Sequence, residues 1–553
     1  MPAMRLRIAN ALLIDGSGAP ARPGEVTIED GRLAEVGEAR LAADRTLDAG
    51  GLALAPGFID MHSHGDFTLP AEPLAEAKVL QGVTTEVVGN CGLGLMPANA
   101  RVEGMYETYT RLIFGEEGGD TSPSLAAYRD RLHGLGISVN AACLIPHGNV
   151  RCAAMGLEER APGASELDRM RRIVGEGMEQ GAFGLSTGLI YPPGAFAEAD
   201  EVAELCKIVA PYGGLYATHM RDEGNRLVES VEEALAIGER AGVPVQISHH
   251  KAAGKFNWGK VKDSLARVDA ARAAGRDVHS DVYPYCAGST VLAAMLVPPW
   301  AFEGSMEKMV ERLREPATRA RIVAESQARI LGYVPDLWWL RHIPRRLLLP
   351  FVIRAMGDLV TVSSARRHPE FEGKTLGEIA RMQGKGLYDA ALDLLVAEDG
   401  AVAAIAHIMR EEDVRTVMRH AATMIGTDGF PARDGKPHPR SYGTYPRVLQ
   451  HYVREEGLLT LEEAVHKMTG MPAAKLGLAD RGLLRPGAWA DLVLFDPGLV
   501  EDRATYAEPR RAPLGMPHVF VSGVWTVKDG RHTGARAGRV LEKRSSPAPA
   551  GAG

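Results

Sequence analysis

Eight short apolar runs recur along the middle of the chain, each ending in polar side chains: "GFIDMHSH", "TTEVVGNC", "SVNAACLIPHGN", "AFGLSTGLIY", "GLYATHMRDEG", "VPVQISHHK", "DVHSDVYPY" and "ATMIGTDGFP". Most are separated by amphipathic stretches. In "NRLVESVEEALAIGERAG" the apolar residues fall at helical spacing and Gly242 closes the helix. Eight strands alternating with helices are the profile of an α/β fold of the (β/α)8 TIM-like barrel type. Such barrels place their chemistry at the C-terminal ends of the strands, which is where the polar residues fall.

The two ends of the chain read differently. "EVTIEDGRLAEVG" has the form of a hairpin about Asp30-Gly31, and "HVFVSGVWTVKDGRHTG" alternates around Ser522-Gly523 and Asp529-Gly530. These patterns predict one small β-sandwich domain assembled from residues 1–55 and 479–540. Barrel strands one to seven are expected in 56–286, and strand eight with its closing helices in 421–478. Residues 287–420 are too many for one helix and predict a largely helical cap between strands seven and eight. The Pro/Ala/Gly-rich end, 541–553, predicts a disordered tail.

At 553 residues the chain can bury a large core, and a barrel accommodates more length than the usual domain of about 150 residues. A net charge of −7 with no strongly basic region argues against nucleic acid as a partner. The five cysteines are odd in number and scattered, so reduced thiols are expected. The first residues lack the pattern of a secretory leader. No stretch reaches the ~18 apolar residues of a membrane span, since Pro350 and Arg354 interrupt "RRLLLPFVIRAMG". These features predict a cytoplasmic protein without a transmembrane segment.

His62 and His64 lie two apart at the end of the first strand, so both side chains face the same way. Cys91 ends the second strand, His219 the fifth, His249 the sixth and Asp428 the eighth. Histidine, thiol and carboxylate converging on one rim are what zinc chemistry requires: three protein ligands and a place for water. The alternative for Cys91 is a small buried hydrophobe, and that reading is kept for the other four cysteines, although Cys286 in "YPYCAG" falls close to the rim. Alternation turns His250 away from the interior, which makes it structural.

The motifs "GFIDMHSH", "GVTTEVVGNCG", "YATHMRDEG", "ISHHKAAG", "IGTDGFP" with "HPRSYGTYPRVL", and "GLLRPGAWADLVLFD" resemble the amidohydrolase superfamily across nearly the whole chain. Within it they are similar to the D-aminoacylase (N-acyl-D-amino-acid deacylase) branch. The discriminating residue is Cys91, because hydantoinase- and dihydroorotase-like relatives bridge their metals with a carboxylated lysine from another strand. The resemblance implies a tightly held zinc on Cys91, His219 and His249, and a second, weaker metal position lined by His62, His64 and Asp428. It implies that Asp428 acts as general base and then acid. Lys251, Tyr283 and Arg440 resemble the clamp for a substrate carboxylate, and Tyr191 the residue that polarises the scissile carbonyl. His147 and Asn149 end the third strand close behind. The D-stereochemistry of the substrate comes from the resemblance alone.

One segment departs from the family pattern. "RHIPRRLLLPFVIRAMGDLVTVSSARRH" is longer than the cap usual there and reads as lid, oligomer contact or interfacial helix. The runner-up activity is hydrolysis of a cyclic or other amide within the superfamily, against which Cys91 and the Lys251/Arg440 pair argue. A silent scaffold requires missing ligands, yet all six are present. A metal store has no use for a carboxylate clamp and a long lid. The partner expected is a small molecule, with the chain a monomer or homo-oligomer. Acyl-chain and side-chain preference stay open.

Overall fold

A computed structural model of the chain describes residues 5–106, 120–332 and 345–543. It is a mixed α/β protein in which eight parallel strands follow one another in order. They are β1 (Phe58–Asp60), β2 (Val83–Val88), β3 (Asn140–Cys143, continued by Ile145–Pro146), β4 (Gly184–Gly188), β5 (Leu215–His219), β6 (Val245–Ile247), β7 (Val278–Val282) and β8 (Thr423–Ile425). Each pairs in parallel with the next. Beyond their C-terminal ends β8 and β1 also meet: the Asp428 amide donates to the His62 carbonyl at 2.7 Å and the His64 amide to that of Gly429 at 3.0 Å. These contacts fix the relative height of two segments that both carry titratable side chains. Between strands, helices such as Leu227–Ala241 bury one apolar stripe (Leu227, Val231, Ala234, Leu235) and stop at Gly242 in the left-handed region.

The two termini share one sheet of nine strands, joined where Leu492–Phe495 runs antiparallel to Ala53–Pro56. Where the sequence predicts a sandwich, the pairing is continuous, because that one junction fuses the N- and C-terminal halves edge to edge. Its hairpins turn at Asp30-Gly31, Ser522-Gly523 and Asp529-Gly530, all with positive φ. This is the turn whose twist suits a two-residue hairpin. Ile8, Val26, Leu54, Leu492, Leu494 and Phe520 form its core.

Asp491 fastens this sheet to the parallel strands. One carboxylate oxygen accepts from the Ser522 amide at 2.6 Å; the other accepts from Asn140 at 3.3 Å and pairs with Arg481. Both partners of the ion pair are buried. Asp491→Ala leaves a buried guanidinium without its anion, a change that typically destabilises by about 3–5 kcal/mol. A clear drop in the thermal midpoint, with Asp491→Asn falling between the two, is the expected result.

The region between β7 and β8 departs from its expectation in two ways. Besides helices it contains a three-stranded antiparallel sheet of Gly288–Val291, Ala403–Ala406 and Val360–Ser364. With it goes a separate core that includes Met309, Leu313, Val362, Ile379, Leu392 and Leu395. Helix Glu411–Arg419, at the end of this stretch, belongs elsewhere: Val414, Val417 and Met418 pack into the main core beside β7 and β8. The expected tail is also shorter at its start. Val540–Leu541 pairs in parallel with β3, an outcome that two apolar residues cannot announce in sequence. Residues 544–553 of that tail, and 341–344 of the basic apolar segment, lie outside the described residues. In the rest of that segment Arg345–Leu359 is a helix, with Leu347 and Phe351 exposed, and Val360–Ser364 is the strand already described. Among the described residues no helix is long and apolar enough to cross a membrane.

Candidate metal centre

The ends of β1, β2, β5, β6 and β8 bring their titratable side chains to one buried place. Cys91 stands at its middle. Its Sγ lies 3.3 Å from His62 Nε2, 3.5 Å from His249 Nε2 and 3.7 Å from His219 Nδ1. Asp428 Oδ1 lies 3.3 Å from His64 Nε2 and 3.5 Å from His62 Nε2. Donor atoms of His62, Cys91, His249 and Asp428 all fall within 4.8 Å of one another; those of His219, Glu223 and His249 form a second such group. The three pivotal residues Cys91, His249 and Asp428 have φ of 55°, 35° and 47°. Left-handed backbone at three non-glycine positions in one site is strain of the kind functional sites hold.

The electrostatics follow from this crowding. Burial alone raises the Cys91 thiol, yet the charge on His62 and hydrogen bonds from His219 and His249 outweigh it and bring the thiol well below its usual range. Burial likewise opposes ionisation of Asp428. The Arg440 guanidinium, with Nη1 at 2.8 Å from Oδ2, and the neighbouring histidines hold the carboxyl well below the usual range. Burial disfavours charge on His64, but its bond to Asp428 lifts it to about 9.

The residues expected to clamp a substrate carboxylate lie alongside. Lys251 is buried, with Nζ 2.5 Å from Glu223 Oε1 and 2.7 Å from His249 Nδ1. Arg440 lies over the Tyr283 ring at 4.6 Å, and its buried Nε has no hydrogen-bond partner among the described residues. The Tyr191 hydroxyl accepts from Thr290, and its ring stands edge-on to His219 at 4.9 Å. Both cations of the clamp therefore already touch a carboxylate of the centre. His250 points away, to Ser264 Oγ at 2.7 Å. Cys286 contacts Glu411 at 3.1 Å, and His147 contacts Glu201 at 2.8 Å. Asn149 holds the loop after Cys91 by donating to the Gly94 carbonyl at 2.6 Å.

Two carboxylates at the centre, Glu223 and Asp281, are not among the site residues that the sequence predicts. Glu223 Oε1 is 2.9 Å from His249 Nδ1, which directs the other nitrogen, Nε2, toward Cys91. Asp281, on β7, accepts the His249 amide at 2.7 Å and lies 3.4 Å from His62 Nδ1. Alternation supplied a signal for Asp281, which is two residues from Tyr283 and on the same face. For Glu223 there was none.

The donor set fits zinc. Bonds of about 2.3 Å to sulfur and 2.0–2.1 Å to nitrogen at a tetrahedral angle place the two ligand atoms about 3.6 Å apart. The three Cys91–histidine separations straddle that value. A thiolate among imidazoles also selects zinc over hard cations.

The chain is 38% identical to a D-aminoacylase of Alcaligenes xylosoxydans xylosoxydans over 98% of both chains. It is also 38% identical to an N-acyl-D-glutamate deacylase of the same organism, over 99% of this chain and 98% of that one. The solved N-acyl-D-glutamate deacylase of Bordetella bronchiseptica, complexed with zinc and a phosphonate mimic of the tetrahedral intermediate, superposes with a TM-score of 0.80 at 35% identity, covering 98% of this chain and 100% of that one. Residues 45–531 match the model of the Amidohydrolase family, and to that family the chain belongs.

Proposed function

We propose that the protein is a zinc-dependent hydrolase that cleaves the amide bond of N-acyl-D-amino acids to a carboxylate and a free D-amino acid. The observation that carries this reading is the position of Cys91 among three imidazoles, with Asp428 beside them and two cations, Lys251 and Arg440, at the same rim. We infer further that the eight parallel strands close into a (β/α)8 barrel, for which the β8–β1 contacts speak. The segment 287–406 covers its mouth.

Cys91, His219 and His249 hold the tight zinc; His62, His64 and Asp428 line a second, weaker position. Zinc supplies Lewis-acid polarisation of the amide carbonyl and lowers the pKa of a water toward ~7. Lys251, Tyr283 and Arg440 bind the α-carboxylate and so orient the scissile bond. The Tyr191 hydroxyl donates toward the carbonyl oxygen, where charge builds up. Asp428 accepts a proton from the attacking water and passes it to the amine nitrogen as the C–N bond breaks. Buried beside Arg440, its carboxylate starts ionised, as a base must.

Paired N-acetyl-D- and N-acetyl-L-amino acids with Met, Leu, Phe, Glu and Asp side chains test this directly. The expected result is turnover confined to the D series by protein carrying zinc. Turnover of cyclic amides with none of either linear series would overturn it.

A further inference from the structure

Cys91 occupies a turn whose backbone its side chain leaves alone, since the sulfur is engaged with His62, His219 and His249. Gly89, Cys91 and Gly92 have φ of 76°, 55° and 68°. Asparagine and aspartate tolerate left-handed backbone by bonding locally through a side-chain oxygen, and cysteine has none. The turn must be held from outside. Asn90 supplies one tether, donating to the Val87 carbonyl at 2.9 Å and the Ser63 carbonyl at 3.3 Å.

The other tether comes from β4. Ser186 is fully buried, and its hydroxyl joins both ends of the turn: it accepts from the Gly92 amide at 3.1 Å and donates to the Gly89 carbonyl. One hydroxyl has a single proton and lone pairs to accept with, so these two bonds use it in both directions. Two residues on, the backbone of β4 lies directly under the cysteine. A Cβ added at Gly188 would stand 2.1 Å from the Cys91 carbonyl oxygen, and one at Gly92 would stand 2.8 Å from the Gly188 nitrogen. Among the described residues β4 gives no donor atom to the metal-ligating groups.

We propose that Ser186 is a positioning residue for the metal thiolate: by bridging Gly89 and Gly92 across the Cys91 turn, it sets the direction of Sγ toward the histidines. The proposal rests on Cys91 being a zinc ligand. It assigns β4 a role as the seat of the ligand from β2.

The test uses full-length wild type, Ser186→Ala, Ser186→Thr, Gly188→Ala and Cys91→Ala. Zinc affinity is measured by competition with a chromophoric chelator, and the thiolate-to-cobalt charge-transfer band is recorded after cobalt substitution. Residues that orient metal ligands typically cost about 10–100-fold in metal affinity when removed. That loss, with a weakened or shifted band, is expected for Ser186→Ala. Ser186→Thr keeps a hydroxyl and restores both readouts. Gly188→Ala, which presses on the Cys91 carbonyl and leaves the hydroxyl intact, weakens both again and serves if Ser186→Ala does not fold. Wild-type affinity and band in Ser186→Ala or in Gly188→Ala would overturn the proposal, as would equal losses in the Ala and Thr variants. Cys91→Ala separates the two levels. If it binds zinc like wild type, the ligand assignment falls and this proposal with it. If it loses zinc while Ser186→Ala does not, only the role of Ser186 falls.

Discussion

Asp428→Asn lowers kcat by about 10²–10⁴-fold, the range ascribed to a general base, while zinc content stays at the wild-type value. The substitution keeps shape and volume and removes the charge. In the structure Asp428 touches His62, His64 and Arg440 and has no hydrogen bond to Cys91 or His219. The tight ligands therefore keep their places, and the loss falls on proton transfer. KM supplies the discriminating detail. Arg440 is 2.8 Å from Asp428 and is also assigned to the substrate carboxylate, so the two anions compete for one guanidinium. Neutralising Asp428 releases Arg440 to the substrate, and KM stays level or falls while kcat collapses. That pattern marks an interaction needed in the transition state and not for binding. If Asp428 served only to balance charge, Asp428→Asn would loosen the centre, lower zinc content and raise KM together. Measuring kcat, KM and zinc on one preparation decides between them.

The sequence made the rim legible because each strand end there is short, apolar and stops at a residue able to bind metal. Period-two alternation then says which neighbours share a face: His62 with His64, and His249 with Lys251 but not His250. What it could not convey were contacts made only by the packing of one strand end on another. Glu223 sits in the charged loop "RDEG", where its neighbours Arg221 and Asp222 look equally eligible. Only the placement of β6 beside β5 brings it to 2.9 Å from His249. The tether from Ser186 is hidden for the same reason, since nothing local pairs β4 with a turn that begins 97 residues earlier. The small sheet between β7 and β8 failed for a different reason. Its strands are four or five residues long, and two of them, Gly288–Val291 and Val360–Ser364, are separated by several helices. "AAIA" at 403–406 has the alanine content of a helix, and strand pairing overrides that preference.

Cys91→Ala removes the metal as well as the activity. The substitution leaves His219 and His249 facing a methyl group, and it deletes a negative donor that touches three imidazoles. Lys251 is paired with Glu223 and Arg440 with Asp428, so these carboxylates are already offset by cations, and losing the thiolate removes negative charge that was free to balance a divalent ion. Zinc affinity falls by more than the about 10–100-fold typical of residues standing behind a ligand. A thermodynamic readout makes this independent of catalysis. A metal that binds only the folded state stabilises it by about 2.7 kcal/mol at one hundred times its dissociation constant. Titrating zinc into the apo-protein therefore raises the thermal midpoint of wild type and not that of Cys91→Ala. Asp428→Asn, tested in parallel, keeps the rise. If Cys91→Ala keeps it too, the histidines and carboxylates suffice to hold the ion, and Cys91 returns to being a small buried hydrophobe. If both variants lose it, the donors act as one shared cluster, with the tight metal bridging Cys91 and Asp428 instead of resting on Cys91, His219 and His249 alone.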